Sequence, residues 1–559
     1  MTQETSDGAP GSDNKPLVKA ALRGFSISYR GKTLLSTRDP VSRADRAAAA
    51  ATKKRTLYFC PSPLLGYGLE KALQIMSADS ALLCVESDPA LSELSASSIP
   101  RRLLDDPRLL FAGASLADAA ALCAAVQKKW PGRKFRRLEI LKLSGGWVLD
   151  SAAYDDLAAA LGNEIAVHWS NAMTLIKLGR RFMCNTIRNL PLLETGKNLS
   201  RLSFGKAPLL VLGAGPSLDP FLDALVLDKS ARSASRSFKI ICVDTCVPAL
   251  RERNLRADLV VILESQFWNC QDFTGAGRSR MSAAVDLSSY PGSAAALGGD
   301  YYFFFTPWTR LSLFDRMRRA GILPLETMPP LGSVGLSAVE LARRLGGGPI
   351  ICAGIDFSFT LDKSHARSTP WQLALLAGQN RLHPPGNAAG AFRAGVFPAR
   401  SKSGTVVRSN PAMRNYRNLF EQEFSRDERI YDVEGSGLPL GVKATLSITE
   451  AVRVLTSFTV ETNDVSPAPA PPQPDAQKNL SRALRDFAAA ERKRLEDLRD
   501  ILCGKKDGPL DTLLDETDYL WAHFPECAGA GGRPAANLPF LKRVRTEIDP
   551  FIRLFLFGF

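Results

Sequence analysis

A short apolar run that leads directly into a glycine turn constrains the fold of this chain more than any other feature. The run Leu209–Leu212 is followed by Gly213-Ala214-Gly215-Pro216-Ser217, and apolar residues then recur at helical spacing, at Leu218, Phe221, Leu222 and Leu225. Glycines let the backbone turn sharply and let other groups approach closely. The pattern predicts a strand, a tight turn and a helix whose first position is Pro216. The backbone N–H groups of that helix start, together with the Ser217 hydroxyl, predict an anion site, and a turn without a ligand is the alternative.

Further apolar runs predict that this strand belongs to a mostly parallel sheet. The other strand candidates are residues 240–243, 259–263, 302–305 and 350–353. Helical patterns separate several of them, and strands that alternate with helices form parallel sheets covered on both faces. We therefore predict an α/β protein whose central domain, residues 205–463, is Rossmann-like.

A second α/β unit is predicted nearer the N-terminus. Residues 57–60 form an apolar run, a Pro/Gly turn leads into a helical pattern at 69–73, and another apolar run at 81–85 ends on Glu86. This is the outline of a βαβ nucleotide-binding unit, but it lacks GxGxxG. We predict a Rossmann-like domain over 17–150 and favour a structural module without a ligand.

The remaining segments differ from these two units in composition. At 559 residues the chain is too long for one ordinary core. Residues 1–16 are predicted to be disordered, 151–204 to be a helical connector, 464–477 to be an extended Pro/Ala linker, and 478–559 to be a C-terminal helical domain.

Charge and cysteine usage narrow the class of protein. The net charge is +14, but basic residues are spread along the chain, so we expect no nucleic-acid partner. The positive field is compatible with an anionic substrate such as a nucleotide sugar and equally with an ordinary solvated basic surface. The ten cysteines lie mostly in apolar runs without a CxxC pair, as in reduced cytosolic proteins without a metal site. The chain contains neither a secretory signal nor a long apolar segment, so we expect a cytoplasmic protein without a membrane span.

Polar residues follow several of the predicted strands. Asp244 and Thr245 come after residues 240–243, and Glu264 and Gln266 come after the next strand. Ligands of α/β proteins bind at the carboxyl ends of the strands. Asp244 is therefore a candidate to hold a ribose or a base, and capping of the following helix is its alternative role.

A fourth motif surrounds the last of these strands. Gly332 and Ser333 precede a helical pattern, and Asp356 and His365 follow the strand 350–353. His365 is one of only four histidines and lies in a polar loop beside the ligand edge. A general base and an ordinary surface histidine are both compatible with this position.

These motifs resemble, in their order, those of the motility-associated factor (Maf) flagellin glycosyltransferases. The resemblance covers about residues 160–450 and rests on GAGPSLD, VDTCVPALRERNLRADLVVILESQ, and GSVGLSAVELARRLGGGPIICAGIDFSFT with SHA. The same core domain occurs in archaeal 6-hydroxymethylpterin diphosphokinases, and the GxGPSL turn is similar to that of bacterial sialyltransferases. One departure is Glu264, which stands where relatives usually carry Asp.

The resemblance implies a sialyltransferase-like central domain and a function. The protein would move a pseudaminic- or legionaminic-type nonulosonic acid from its CMP-activated donor to Ser/Thr hydroxyls of flagellin, with inversion and without a required cofactor. Asp356 and His365 would be catalytic. The implied nucleotide-sugar-binding residues are Gly213, Gly215, Pro216, Ser217, Asp244, Thr245, Glu264, Gln266, Gly332 and Ser333.

Two other functions remain open at this stage. The first is ATP-dependent pyrophosphoryl transfer to a hydroxymethylpterin-like small molecule, with Mg²⁺ held by Asp244, Glu264 or Asp356. The second is a flagellin-binding protein without catalytic activity, whose C-terminal helices supply the interface.

Overall fold

The computed structural model describes residues 15–116, 118–130, 135–233, 236–323, 326–383, 388–457, 474–524 and 537–557. The chain forms two compact units, residues 1–174 and 175–559. The predicted disorder at 1–16 falls almost entirely outside the described residues, as does the linker up to residue 473. Residues 474–477, also assigned to the linker, instead begin a helix at Pro474. The other predicted domain boundaries stay predictions.

The first unit contains an antiparallel and a parallel sheet. Its strands are β1 (Leu17–Ala20), β2 (Phe25–Tyr29), β3 (Lys32–Thr33), β4 (Thr56–Pro61), β5 (Ala81–Val85), β6 (Leu109–Ala112) and β7 (Arg137–Ile140). Its helices are α1 (Pro40–Ala48), α2 (Leu69–Ile75), α3 (Pro89–Ser98), α4 (Arg101–Leu104), α5 (Ala119–Lys129) and the first part of α6 (Ser151–Asn189). Strands β1–β3 pair in antiparallel fashion, and the parallel sheet has the order β6-β5-β4-β7. The predicted βαβ unit is thus confirmed as β4, α2 and β5.

The acidic residue that follows β5 lies inside this unit. Glu86 is almost fully buried and accepts hydrogen bonds from Ser62 Oγ at 2.6 Å and from Tyr154 Oη at 2.9 Å. Burial raises the pKa of the Glu86 carboxyl. The two hydroxyl groups give this carboxyl internal partners, as a structural role requires.

The second unit carries the larger sheet. Its strands are β8 (Lys197–Asn198), β9 (Leu209–Leu212), β10 (Lys239–Val243), β11 (Leu259–Ile262), β12 (Met281–Asp286), β13 (Gly298–Phe305), β14 (Glu326–Thr327), β15 (Ile350–Ala353), β16 (Phe397–Arg400), β17 (Val406–Ser409), β18 (Ile430–Val433) and β19 (Ala444–Leu446). Its helices, besides the end of α6, are α7 (Leu218–Leu225), α8 (Val247–Glu252), α9 (Ser312–Arg319), α10 (Val334–Leu345), α11 (Pro370–Ala377), α12 (Ala388–Ala391), α13 (Pro411–Phe424), α14 (Ile448–Thr456), α15 (Pro474–Leu502), α16 (Leu510–Glu516) and α17 (Leu538–Phe557).

The strand order of the large sheet places a reversal at β9. The order is β14-β13-β12-β11-β10-β9-β15-β18-β19, with β8 beside β13, and every pairing is parallel. The chain builds outward from β9 through β10 to β14, and then returns to add β15 on the other side of β9. In sheets of this kind, ligands bind at the carboxyl ends of the two strands that flank such a reversal. The predicted parallel sheet is confirmed, with the five predicted strands in it.

The C-terminal helices share one apolar core with this sheet. Leu495 of α15 and Phe551 of α17 are completely buried in the same cluster as the central strands. Arg316 of α9 also donates hydrogen bonds to both carboxylate oxygens of Glu491, at 2.6 and 2.9 Å. Within the described ranges, none of the helices combines the length and the apolar character that a membrane crossing requires.

Candidate functional site

The segments that follow β9 and β15 lie directly against each other. The N–H of Gly213 donates to the carbonyl of Ala353 at 2.9 Å, and the N–H of Gly215 donates to that of Gly354 at 2.8 Å. A Cβ on Gly213 would lie 2.5 Å from the Gly354 oxygen, so only glycine allows this approach. The turn predicted from the sequence therefore lies at the point where the strand order reverses.

The carboxylate of Asp356 occupies the centre of this contact. Its Oδ2 accepts a hydrogen bond from the backbone N–H of Ser217 at 2.7 Å, and its Oδ1 accepts one from the Ser217 hydroxyl. Asp356 is only 3% exposed. A Cβ on Gly215 would lie 2.5 Å from Asp356 Oδ2, and a Cβ on Gly437 would lie 2.6 Å from Oδ1. The donors that the sequence predicts for a ligand anion are thus bound to a carboxylate of the protein itself.

The predicted position of Pro216 in the first turn of the helix is wrong. Helix α7 begins at Leu218, and Pro216 lies in the turn that precedes it. The N–H of Leu218 donates to the Gly215 carbonyl at 3.1 Å, which closes a separate turn before the helix starts. Contact with Asp356, distant in sequence, stabilises this extra turn.

The start of α10 differs from that of α7 because the residue before it, Ser333, is not bound to any described carboxylate as Ser217 is bound to Asp356. Gly332 has a φ of +71°, and Ser333, the next residue, makes no capping hydrogen bond. Across the described part of the chain, the N–H groups of residues 334–336 have no hydrogen-bond partner. A Cβ on Gly335 would lie 3.9 Å from Ile355, which follows β15. The start of α10 therefore presents N–H groups to this edge that are open to an anion.

Tyr416 of α13 lies beside this open helix start. Its ring is the nearest group to Gly332, 3.2 Å from where a Cβ would stand. Burial raises the pKa of the Tyr416 phenol, and its hydroxyl makes no hydrogen bond to any described residue. Sequence reasoning missed this residue because no motif marks it. A phenol in this position can donate a hydrogen bond to a ligand.

The segment that carries His365 is attached to α7 and to the glycine turn. Ala366 N–H donates to the Ala214 carbonyl at 2.9 Å. The Asp219 carboxylate of α7 accepts from Lys363 Nζ at 2.9 Å and from the Arg367 N–H at 3.1 Å. These contacts bring the predicted base to the same edge as Asp356.

The surroundings of His365 favour a neutral imidazole. Burial lowers its pKa, and the Ser364 hydroxyl lies 3.0 Å from Nδ1 and orients the ring. A neutral imidazole is the form that can accept a proton from a hydroxyl group.

A buried ion pair supports Asp356 from the other side. Lys402 and Asp432 are each about 1% exposed at the side chain and pair with each other. The N–H of Lys402 donates to the Gly437 carbonyl, and the N–H of Leu438 donates to the Asp356 carbonyl, both at 2.8 Å. The pair thus holds the segment after β18 against Asp356. Sequence reasoning missed the pair because Lys402 lies outside the recognised motifs and no local signal links Asp432 to a lysine 30 residues away.

Two carboxylates lie at the end of the neighbouring strand β10. Asp244 accepts hydrogen bonds from the Thr245 N–H and from Asn269 Nδ2, both at 2.9 Å. Burial raises the pKa of Asp244, and burial together with the charge of Asp244 raises the pKa of Asp272 to about 7. Asp244 does not cap α8, whose N-terminal cap residue is Cys246. Asp272 was not among the predicted residues.

Glu264 and Gln266 lie one strand further along the edge. The N–H of Gln266 donates to Glu264 Oε1 at 2.9 Å, and the N–H of Tyr290 donates to the Glu264 carbonyl at 3.0 Å. The predicted site residues therefore lie in a row along the carboxyl edge of the sheet, in the same order as the strands that they follow. Ser217, Asp356 and both turn glycines are in direct contact, the His365 segment and the start of α10 adjoin them, and Asp244 and Glu264 follow along β10 and β11.

Comparisons with known proteins agree with this architecture. A family model described as 6-hydroxymethylpterin diphosphokinase MptE-like matches residues 184–362, which include β9–β15 and Asp356. The solved structure of MAf glycosyltransferase from Magnetospirillum magneticum AMB-1 has a TM-score of 0.54 at 12% identity, and the match covers 97% of this chain and 92% of that one. An uncharacterized protein of Treponema pallidum is 30% identical over 561 residues, 96% of this chain and 95% of its own length.

The resemblance carried by the sequence motifs is thereby confirmed, because an MptE-like core and the MAf glycosyltransferase fold are both found. Identity of 12% establishes the fold alone, whereas the Treponema pallidum match extends along almost the whole of both sequences. The chain belongs to one family with that Treponema pallidum protein, and it has the fold of MAf glycosyltransferase around an MptE-like core.

Proposed function

We propose that this protein transfers a nonulosonic acid of the pseudaminic or legionaminic type from a CMP-activated donor to Ser/Thr hydroxyls of flagellin. The fold shared with MAf glycosyltransferase supports sugar transfer. The observation that carries the proposal is the convergence of Asp356, the His365 segment and the open start of α10 at the strand reversal.

The donor carries two negative groups, the phosphate and the carboxylate of the sugar. Because the Ser217 donors are bound to Asp356, these groups are expected elsewhere along the same edge. The open N–H groups of α10 favour one of them through hydrogen bonds and the helix dipole. The Tyr416 hydroxyl beside Gly332 is available as a further donor.

The reacting sugar then lies between Asp356 and His365. Inverting transfer passes through an oxocarbenium-like state, and the Asp356 carboxylate supplies negative charge beside the ring where positive charge develops. His365, neutral because of burial, removes the proton from the acceptor hydroxyl. The acceptor oxygen bonds to the anomeric carbon, and CMP leaves with the electron pair of the bond that breaks. Neither step requires a metal or another cofactor.

Intact-mass analysis of flagellin tests the proposal. Flagellin incubated with the protein and a CMP-nonulosonic acid should gain the mass of one sugar per modified site. His365→Ala should lower the transfer rate by about 10²–10⁴-fold, the usual contribution of a general base. His383→Ala, at an exposed histidine, is the matched control and should transfer at the wild-type rate. An unchanged flagellin mass would refute the function, and a fully active His365→Ala would refute the base.

Pyrophosphoryl transfer from ATP is a second candidate. The MptE-like match and the neighbouring buried carboxylates Asp244 and Asp272 favour it, since carboxylates bind Mg²⁺. Mg²⁺ that is bound together with a nucleotide takes one or two carboxylates, with phosphates and waters as its other ligands. Thermal unfolding with CMP and with ATP·Mg²⁺ separates the two functions, because only the ligand that binds the native state raises Tm.

A further inference from the structure

A cleft rich in arginines and aromatic rings lies beyond the carboxyl ends of β11 and β12. It has a volume of about 190 Å³ and is lined by residues of α6 and of the segments after these strands, chiefly Arg181, Arg188, Gln266, Phe267, Trp268 and Tyr290. We call it the arginine–aromatic cleft. A cavity of about 300 Å³ adjoins it, shares Arg181 and Arg188, and adds Lys177 and Arg180.

The two arginines of the cleft are not used by the fold. Arg180, their neighbour on α6, pairs with Glu547 at 2.6 Å. Arg181 and Arg188 are exposed, and neither makes an ion pair with any described carboxylate. Seven residues apart on one helix, they lie on the same face. Guanidinium groups that converge without internal partners favour a phosphate or carboxylate ligand.

The aromatic rings of the cleft are exposed to an unusual degree. Phe267 is 59% exposed and Trp268 is 68% exposed. Phe267 contacts Trp268 and Tyr290 edge to face, with ring centroids 5.8 and 5.6 Å apart. These contacts fix the rings while leaving large apolar faces in solvent. Such faces stack on nucleobases, and exposed apolar patches mark binding sites.

The floor of the cleft is rigid and contains an unsatisfied hydroxyl. Asn185 Nδ2 donates to the carbonyls of Ser265 and Ser288, at 3.0 and 3.1 Å, and so ties α6 to the ends of β11 and β12. Ser265 lines the cleft and is 2% exposed, yet its Oγ has no hydrogen-bond partner among the described residues. A buried hydroxyl without a partner is uncommon in proteins, and this one lies at the base of the cleft.

We propose that the arginine–aromatic cleft binds the nucleotide half of the donor, with the base against Trp268 and the phosphate between Arg181 and Arg188. Identification of this nucleotide as part of the sugar donor rests on the proposed function. Two strand spacings, about 10 Å, separate β11 from β9, a distance that a nucleotide sugar spans. The sugar then reaches Asp356, and its carboxylate is the group bound at the start of α10.

Calorimetric titration of the full chain with CMP and with inorganic phosphate tests this site. Wild-type protein should bind CMP more tightly than phosphate. The double variant Arg181→Gln/Arg188→Gln should weaken CMP binding about 10-fold or more, because charge-assisted hydrogen bonds are lost. Trp268→Leu should weaken it about 5-fold or more through loss of stacking. Arg485→Gln and Trp371→Leu, at exposed residues of α15 and α11, are the matched controls and should bind as wild type.

Three results would overturn the site: no CMP binding by wild-type protein, equal affinity for CMP and phosphate, or unchanged CMP affinity in the cleft variants. Flagellin mass gain in the same variants separates this inference from the proposed function. If the protein transfers sugar but the cleft variants bind CMP as tightly as wild type, the nucleotide site in the cleft is refuted and the proposed function stands. Cleft-dependent CMP binding by a protein that never transfers sugar refutes the function alone.

Discussion

Two helices, α7 and α10, begin at the same edge of the central sheet after glycine-containing turns, but the residues that directly precede them have different partners. At α7 the carboxylate of Asp356 binds the N–H and the hydroxyl of Ser217. At α10 the corresponding residue, Ser333, makes no capping hydrogen bond and has no such carboxylate partner among the described residues. Both sequences would be chosen as anion sites by motif alone. The difference teaches that a glycine turn before a helix can serve packing between loops as well as ligand binding.

The largest expected effect concerns the ion pair of Lys402 and Asp432, which holds the segment after β18 against Asp356. Lys402→Met leaves Asp432 buried without its partner, which should lower the free energy of unfolding by about 3–5 kcal/mol. Lys443→Met is the control, because the ion pair of Lys443 with Glu428 is exposed. This substitution should change the free energy of unfolding by less than about 1 kcal/mol. Urea unfolding measures both. Equal effects of the two substitutions would show that the buried pair does not stabilise this loop cluster.

The second prediction concerns the Asp356 carboxylate, which binds Ser217 just before α7. Asp356→Ala should lower the free energy of unfolding by about 2–3 kcal/mol, because Ser217 loses charge-assisted hydrogen bonds. It should also make α7 resemble α10. Phosphate should then stabilise the variant more than it stabilises wild type at matched ionic strength, since the freed helix start binds anions. If phosphate stabilised Asp356→Ala and wild type equally, Asp356 would not be the group that keeps anions from the start of α7.

Two glycine substitutions should change the free energy of unfolding in opposite directions. Gly215→Ala places a Cβ 2.5 Å from Asp356 Oδ2 and 2.7 Å from the Gly354 oxygen, and overpacking of this kind costs about 1–3 kcal/mol. Gly335→Ala meets its nearest neighbour only at 3.7 Å and should stabilise α10 by about 0.5–1 kcal/mol. Denaturant titrations read out both signs. Destabilisation by Gly335→Ala would mean that the start of α10 has no room for a methyl group at this position.

The smallest expected effect comes from placing a carboxylate at the start of α10, as Asp356 is placed at the turn before α7. Ser333→Asp supplies a capping carboxylate and should stabilise the protein by about 0.3–1 kcal/mol. The same carboxylate competes with the negative group of the donor, so the KM for the donor should rise while stability rises. Ser333→Ala is the control, because Ser333 makes no capping hydrogen bond and its loss should leave stability nearly unchanged. A lower KM for Ser333→Asp would place the donor elsewhere.

The elements formed by local patterns could be predicted, and the contacts between distant segments could not. The apolar runs at β9 and β15 are short and continuous, and each is preceded by a proline and followed by a glycine, so the sequence defines them within a residue or two. The turn that precedes α7 is stabilised by Asp356, 139 residues from Ser217, a contact that no local pattern reveals. Lys402 and Tyr416 reach the site from segments whose composition is that of ordinary surface loops and helices.

The apolar core shared by the sheet and the C-terminal helices has a consequence for how the protein is made. The last strand of the sheet, β19, leaves the ribosome roughly 100 residues before α17 is complete. At about 5–20 residues per second, the sheet waits on the order of ten seconds for the helices that cover it. During that interval the surface that later receives Leu495 and Phe551 is exposed to water. Nascent chains of this protein therefore present a time-limited apolar face for chaperones to protect, and truncation before α15 would make that exposure permanent.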